Sequence, residues 1–152
     1  MIRLKRAYKP AARADGRRVL VERLWPRGVT KDALHADAWI KDAAPSAALR
    51  TWFGHEPARW PEFRRRYTAE LRAHPEAWAE LRAWSRRGTV TLLYAARDTE
   101  HNSALVLRDL LTSRSRRSER SIPAADHPGG TRRSRGTGGT PRRRRARGRT
   151  SR

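Results

Sequence analysis

The chain has 152 residues and a formal net charge of +21, and a length of this order predicts one domain. It contains no cysteine, which excludes disulfides, thiolate nucleophiles and sulfur-ligated metal sites. No apolar run of about 18 residues occurs, and the first residues lack the apolar core of a signal peptide, so we expect a cytoplasmic protein that does not contact membranes.

Composition divides the chain near Leu111. All six tryptophans and the last aromatic residue, Tyr94, lie before this point. Residues 1–111 are therefore the predicted folded domain, because only this part has enough apolar side chains to form a core. Residues 112–152 consist mainly of Arg, Ser, Thr, Gly and Pro, which bury too little apolar surface to offset their chain entropy. We predict that this basic C-terminal tail is disordered.

Two N-terminal segments predict strands. Residues 2–8 alternate apolar and basic side chains at their start, which is typical of a short, half-exposed strand. Residues 18–24 contain a continuous apolar run that predicts a central strand, buried on both faces. Pro26 ends this strand, because proline lacks a backbone donor and restrains the residue before it.

The segments that follow predict two helices. Residues 31–42 carry an uneven apolar face at helical spacing, and Pro45 closes this segment. Ser46 is a suitable N-cap for a second, short helix, and Gly54 ends that helix in the way that glycine commonly does.

Two further helices fill the region before the last strand. Apolar side chains from Trp60 to Leu71 recur at steps of three and four residues, which makes this the clearest amphipathic helix of the chain. Pro75 favours the start of the next helix, since its missing N–H is not needed in a first turn, and Gly88 ends that helix.

The last predicted elements are a strand and a helix. Residues 90–95 form another continuous apolar run, and residues 100–111 repeat apolar side chains at helical spacing, with Asp98 or Thr99 as the cap. The long helical region between the two buried strands suits a crossover between parallel strands. We therefore predict an α/β fold: a small, three-layer-like domain with a short, mostly parallel sheet flanked by helices.

Three segments carry a family resemblance. They read Arg-Leu-Trp-Pro-Arg-Gly at 23–28, Leu-Arg-Thr-Trp-Phe-Gly-His at 49–55, and Leu-Leu-Tyr-Ala-Ala-Arg-Asp at 92–98 followed by Glu-His-Asn at 100–102. In this order they closely resemble the YeaO-like bacterial proteins, catalogued as domain of unknown function 488, over nearly all of residues 1–111. The resemblance implies an α/β domain of about this length, and it implies no reaction.

The predicted tail departs from this family, whose members end soon after the last helix. Two interpretations remain open for residues 112–152. The segment is either a basic arm of the protein or the product of a frameshift in a GC-rich gene, which would also give a mixture of Arg, Gly, Ser and Pro. The intact mass of the natural protein distinguishes the two.

Cationic side chains collect where the two buried strands are predicted to end. Arg23 and Arg27 follow the first strand, and Arg97 follows the second. Open α/β sheets bind ligands beyond the carboxyl ends of their strands, and arginine binds phosphate or carboxylate through paired hydrogen bonds. We therefore predict a site for a phosphorylated or carboxylated small molecule. Two further residues complete the predicted ligand-binding set: Asn102, at the start of the last helix, and Trp25, which is expected in the core or the pocket wall.

Acid–base chemistry at this site has three candidates. Either His55 or His101 could act as an acid or base, since histidine is the side chain suited to this role near neutral pH, and Asp98 is expected to orient an arginine or to accept a substrate proton. The alternative is that both histidines only cap helices or lie at the surface. No two histidines have the spacing of metal ligands on one helix, and no Gly-rich nucleotide loop occurs, so we expect neither a metal nor a cofactor. The pattern does not decide whether the protein is an enzyme.

The predicted anion site has two alternatives. In the first, the strand-end arginines bind no ligand and instead pair with nearby acidic side chains, namely Glu22, Asp98 or Glu100. In the second, the protein is regulatory or associates with nucleic acid through its basic faces. Residues 64–66 would then contact phosphates, and the tail would bind nucleic acid without sequence preference. The sequence predicts neither a substrate nor an oligomeric state.

Overall fold

A four-stranded parallel sheet forms the centre of the domain. The computed structural model describes residues 1–119, with strands β1 (Ile2–Arg6), β2 (Arg17–Leu20), β3 (Ala38–Trp39) and β4 (Val90–Tyr94). The strand order is β1-β4-β2-β3, and each neighbouring pair is parallel. The last strand in the sequence, β4, therefore lies inside the sheet, between β1 and β2. This arrangement confirms the predicted α/β fold.

Strands β2 and β4 are buried on both faces. Their register places Val19 opposite Leu92 and Leu20 opposite Leu93, and successive side chains point to opposite sides of a sheet. Val19 and Leu92 belong to the larger of two apolar clusters, whereas Leu20 and Leu93 belong to the smaller one. This double burial explains why both strands have continuous apolar sequences. The pairing ends at Leu20, earlier than the predicted end at residue 24.

Helices cover the two faces of the sheet unequally. The α-helices described within residues 1–119 are α1 (Lys31–Leu34), α2 (Ala47–Phe53), α3 (Trp60–Ala73), α4 (Ala79–Arg87) and α5 (Ser103–Glu119), and four short 3-10 helices lie between these elements. Side chains from α2 to α5 pack into the larger cluster, whereas α1 contributes Leu34 to the smaller one. In this part of the chain, no helix is both long and apolar enough to cross a membrane.

The segment predicted as one helix over residues 31–42 is divided between a helix and a strand. Helix α1 ends at Leu34, because His35 adopts a left-handed backbone with a φ of 47°. The chain then extends into β3. The carboxylate of Asp37 accepts the backbone N–H of Arg18 at 2.8 Å, and its own N–H donates to the Arg18 carbonyl at 2.7 Å. The helix prediction was wrong here because these contacts are not local in sequence.

Helix α5 begins later than the predicted start near Glu100. A turn precedes it, in which Oδ1 of Asp98 accepts the backbone N–H groups of Glu100 at 2.8 Å and of His101 at 3.0 Å. Asn102 caps the helix, since its Oδ1 accepts the N–H of Leu105 at 3.2 Å. Asp98 therefore organises the turn, and a different residue caps the helix.

The end of α5 also differs from the prediction. The apolar pattern ends at Leu111, but the helix continues to Glu119. Once a helix has formed, adding residues to it is far easier than starting it, so a helix can continue beyond the end of its apolar pattern. The remainder of the predicted tail, residues 120–152, lies outside the described residues, as does the choice between a basic arm and a frameshift product.

Tyr67 connects α3 to the segment that precedes α2. Its side chain is 1% exposed, and its hydroxyl donates to the backbone carbonyl of Ala43. Burial raises the pKa of this phenol, and the nearby carboxylates of Glu22 and Glu70 raise it further. The hydroxyl therefore keeps its proton, and remains a hydrogen-bond donor, to a higher pH than an exposed tyrosine would.

Tyr67→Phe is expected to lower the free energy of unfolding by about 1–2 kcal/mol, because the ring remains while the Ala43 carbonyl loses its partner. Urea denaturation followed by tryptophan fluorescence measures this loss. Tyr8→Phe is the matched control, since Tyr8 is 47% exposed and its substitution should change stability by less than about 0.5 kcal/mol. Equal effects of the two substitutions would contradict a role for the buried hydrogen bond.

Candidate functional site

A cavity of about 760 Å³ opens beyond the carboxyl ends of β2 and β4. Its lining includes Glu22, which follows β2, and residues 95–98, which follow β4. Helix α2 and the turn after it contribute Arg50 and His55, and the start of α5 contributes Asn102. The volume suits a small molecule, since ligand pockets usually enclose about 300–1,000 Å³.

The backbone that carries Arg97 is held from two sides. The N–H of Ala95 donates to Oε1 of Glu22 at 3.0 Å, and Nε of Arg6 donates to the carbonyl of Ala96 at 3.0 Å. Arg97 itself is exposed, and its guanidinium forms no hydrogen bond or ion pair with another residue of the described chain, residues 1–119. Its N–H donors therefore face no internal carboxylate.

Asp98 and His101 form a hydrogen-bonded pair at the cavity, with Oδ2 and Nδ1 2.8 Å apart. The backbone N–H of Glu100 and the His101 ring hold the pKa of Asp98 below its usual range. Because an ionised carboxylate only accepts hydrogen bonds, Nδ1 carries the proton and Nε2 is left for another group. Trp60 packs edge to face against the imidazole, with ring centroids 5.3 Å apart. Among residues 1–119, no three His, Asp or Glu side chains could together hold a metal ion.

The turn after α2 places His55 beside the cavity. Gly54 and His55 both have a left-handed backbone, with φ values of 52° and 57°. This conformation is uncommon for a residue with a β-carbon. The His55 ring is exposed, and its centroid lies 5.8 Å from that of Phe53, which also lines the cavity. One turn earlier, the exposed guanidinium of Arg50 has no hydrogen bond or ion pair within the described residues.

Three residues predicted to bind the ligand lie outside the cavity lining. Arg23 donates to the carbonyl of Pro45 at 3.2 Å, and it forms no ion pair in the described part of the chain. Trp25 donates to the carbonyl of Val29 at 2.6 Å and packs against the smaller apolar cluster. Arg27 is exposed. Arg23 therefore supports the cavity wall from behind, since Pro45 is part of that wall.

Among the cavity residues that the sequence analysis did not propose for the site are the polar residues Glu22, Arg50 and Thr51. Burial raises the pKa of the Glu22 carboxyl, whereas the N–H of Ala95 and the positive charges of Arg50 and His55 oppose that rise. The sequence contains a signal for each of them. Glu22 follows a buried strand directly, and the other two lie within the 49–55 segment that carries the family resemblance.

The arginines on the surface of α3 have acidic partners. Arg65 and Arg66 bind Glu62 at 2.6 and 2.9 Å, and Arg64 binds Asp109 at 3.1 Å. Hydrogen bonds from Arg65 and then Arg66 lower the pKa of Glu62 to about 2. The helix face predicted to contact phosphates is therefore less positive than its sequence alone indicates.

Known proteins match this chain over most of its described length. A family model described as the inactive DUF488-N3 subclade matches residues 1–128. The uncharacterized protein YeaO of Escherichia coli is 45% identical over 112 residues, which cover 74% of this chain and 97% of YeaO. The uncharacterized protein Rv3073c of Mycobacterium tuberculosis is 43% identical over 113 residues, covering 74% and 95% of the two chains. No solved structure gives a significant match.

Proposed function

This chain belongs to the DUF488 family, as its sequence motifs predicted, and we propose that it binds a phosphorylated or carboxylated small molecule in the cavity beyond β2 and β4. One observation carries the proposal. Arg50 and Arg97 both line this cavity, and neither guanidinium forms a hydrogen bond or ion pair with the described residues, although the charge of Arg50 acts on the nearby Glu22 carboxyl. An arginine without an internal carboxylate has its donors available for the paired oxygens of a phosphate or carboxylate.

The remaining polar groups have distinct roles in the proposed site. Arg50 and Arg97 hold the anionic group of the ligand. His101 offers Nε2 as a further hydrogen-bonding atom, because its Nδ1 is engaged by Asp98. Asn102 is a positioning residue, since its Nδ2 donates to the Asp98 carbonyl at 3.1 Å. His55 contributes a polar group at the exposed edge.

The matching subclade is described as inactive, and this favours binding without turnover. The Asp98–His101 pair has the arrangement of an oriented acid–base pair. In the proposed function it contributes hydrogen bonds to the ligand and performs no proton transfer to a leaving group. The protein then acts by holding a small anion and by the change in its own surface or stability that this binding produces.

Arg97→Ala is expected to weaken the binding of inorganic phosphate and of succinate by about tenfold or more, since a hydrogen-bonded charge pair is lost. Isothermal titration calorimetry at fixed salt measures the affinities. Arg27→Ala is the matched control, because it removes the same charge from an exposed position outside the cavity lining. Its effect is expected to stay within about twofold, as for a screened surface charge.

Equal weakening by both substitutions would show that overall positive charge, and not the cavity, attracts the anions. Failure of the unmodified protein to bind either anion would reject the proposal. Binding of a short DNA duplex is measured in the same way and compared with the binding of the two anions. If only the duplex binds, and its affinity falls steeply with salt, the nucleic-acid interpretation replaces the small-molecule one.

A further inference from the structure

We infer that Glu22 is a ligand-binding residue and that the ligand carries a hydroxyl group in addition to its anionic group. The inference rests on the proposed anion site and narrows its ligand class to hydroxylated anions. Hydroxy acids and phosphorylated polyols share this chemistry.

The position of Glu22 is set by the end of β2. It follows Val21, which is 1% exposed, and it lines the same cavity as Arg50 and Arg97. Its Oε1 accepts the N–H of Ala95 at 3.0 Å, so the carboxyl group bridges the ends of β2 and β4. The side chain is thereby held in one orientation by a backbone group that cannot move independently of the sheet.

The second carboxyl oxygen of Glu22, Oε2, remains available. It forms no hydrogen bond within residues 1–119. Among these residues, no fully buried side-chain nitrogen or oxygen atom lacks a partner, so Oε2 is accessible and not enclosed by protein. While Glu22 is ionised, Oε2 only accepts hydrogen bonds, so the ligand group that meets it is a donor. Burial also raises the pKa of Glu22, which indicates that its ionised form is incompletely solvated and would gain from one more donor.

The surrounding charges favour an uncharged donor. Arg50 and His55 are close enough to act electrostatically on Glu22, and Arg97 lines the same cavity. The guanidinium groups of Arg50 and Arg97 balance the carboxylates of Glu22 and Asp98 in this cavity, so a ligand ammonium group gains no net attraction, whereas a hydroxyl group needs none. The other carboxylate of the cavity, Asp98, already accepts the hydrogen bonds of the turn before α5. Oε2 of Glu22 is thus the carboxylate oxygen that would accept a hydrogen bond from a ligand hydroxyl group.

Two series of probes test this inference on the full-length protein. One consists of succinate, malate and aspartate, and the other of propyl phosphate, 3-hydroxypropyl phosphate and 3-aminopropyl phosphate. In each series the members keep the anionic group and differ in an added hydroxyl or ammonium group. In at least one series we expect the hydroxylated member to bind about tenfold more tightly than its parent, as for a hydrogen bond to a charged group. The ammonium member should bind no more tightly than the parent.

Two substitutions assign this preference to Glu22. In Glu22→Gln the side-chain carbonyl oxygen can still accept the Ala95 N–H. The accessible carboxylate oxygen, Oε2, is replaced by an uncharged NH2 group. The hydroxyl preference should fall to about threefold or less, because a neutral hydrogen bond is weaker. Glu22→Ala should remove the preference entirely. Succinate and propyl phosphate should still bind Glu22→Gln, in which the Ala95 N–H keeps its acceptor, so the loss of affinity is confined to the hydroxylated members.

The probes also separate this inference from the proposed function. If succinate or propyl phosphate binds in an Arg97-dependent way but hydroxylation gives no advantage, the inference is wrong and the anion site stands. A hydroxyl preference that survives both Glu22 substitutions also overturns the inference. If no member of either series binds, the inference and the proposed function fail together.

Discussion

Gly16→Ala is expected to lower the free energy of unfolding by about 3–5 kcal/mol, from backbone strain together with steric overlap. Gly16 precedes β2 and has a φ of 62° and a ψ of −132°, a combination that side chains rarely permit. A β-carbon at this position would lie 2.3 Å from the carbonyl oxygen of Thr89. That oxygen accepts the N–H of Arg17 at 3.0 Å, so it cannot move without breaking the contact between β2 and the start of β4.

Gly28→Ala is the matched control. Gly28 has a φ of 73°, but nothing lies within 4 Å of an added β-carbon. This substitution is expected to cost only the conformational strain, about 1–2 kcal/mol. Urea denaturation of both variants measures the difference. Equal losses would show that backbone conformation alone, and not the contact with Thr89, restricts position 16 to glycine.

Asp15→Asn is expected to lower the free energy of unfolding by about 3–5 kcal/mol, the usual cost of removing one partner from a buried charge pair. Asp15 is 2% exposed and accepts a hydrogen bond from the guanidinium of Arg18, whose side chain is 5% exposed. It also binds Nζ of Lys5 at 2.8 Å and the backbone N–H of Ala12 at 2.9 Å. An uncharged side chain leaves Arg18 inside the protein without its counter-ion.

Asp109→Asn provides the comparison with a surface carboxylate. Asp109 pairs with Arg64 at 3.1 Å and with Arg108 at 3.0 Å, but its side chain is 44% exposed. Exposed pairs of this kind contribute roughly 0–1 kcal/mol. If the two substitutions were equally destabilising, the burial of the Asp15 pair would have no energetic importance.

Asp15 also gives the protein a specific sensitivity to acid. Burial alone would raise its pKa, but hydrogen bonds from Lys5, Ala12 and Arg18 outweigh burial and lower the pKa from 3.8 to about 2. Because the folded-state pKa is below the unfolded-state value, this stabilisation is complete above about pH 4 and is lost as the pH falls toward 2. The expected contribution is about 2 kcal/mol. The stability difference between the unmodified protein and Asp15→Asn should therefore narrow in acid, and a constant difference would contradict this account.

The sheet shows where sequence patterns predict structure well. The apolar runs that became β2 and β4 were recognised because both strands are buried on two faces, which removes any ambiguity about which side chains meet water. Strand β3 was missed because it has two residues, Ala38 and Trp39, and depends on the bonds between Asp37 and Arg18. A short edge strand of this kind has almost no pattern of its own.

The candidate site shows a similar division. The sequence predicted that Arg97 and His101 lie at the same site. Both belong to the short segment between β4 and α5, where the end of a strand and the start of the next helix are close in sequence. The residues after β2 were harder to assign. Pairing stops at Leu20, so the alternation of a strand no longer determines the directions of later side chains. Glu22 lines the cavity and Arg23 does not, and only the three-dimensional path of the turn distinguishes them.

The place of β4 in the sheet has a consequence for the way the protein is made. β1 and β2 pair with β4 on either side of it, and Ile2 lies opposite Val90. A ribosome adds about 5–20 residues per second, so the first strand waits several seconds for its partner to be synthesised. During that time the apolar residues of β1 and β2 have no strand to join except the short β3. The parallel pairing on both sides of β4 therefore forms only after residues 90–94 have been synthesised, when nearly all of the described sheet and its covering helices are already present.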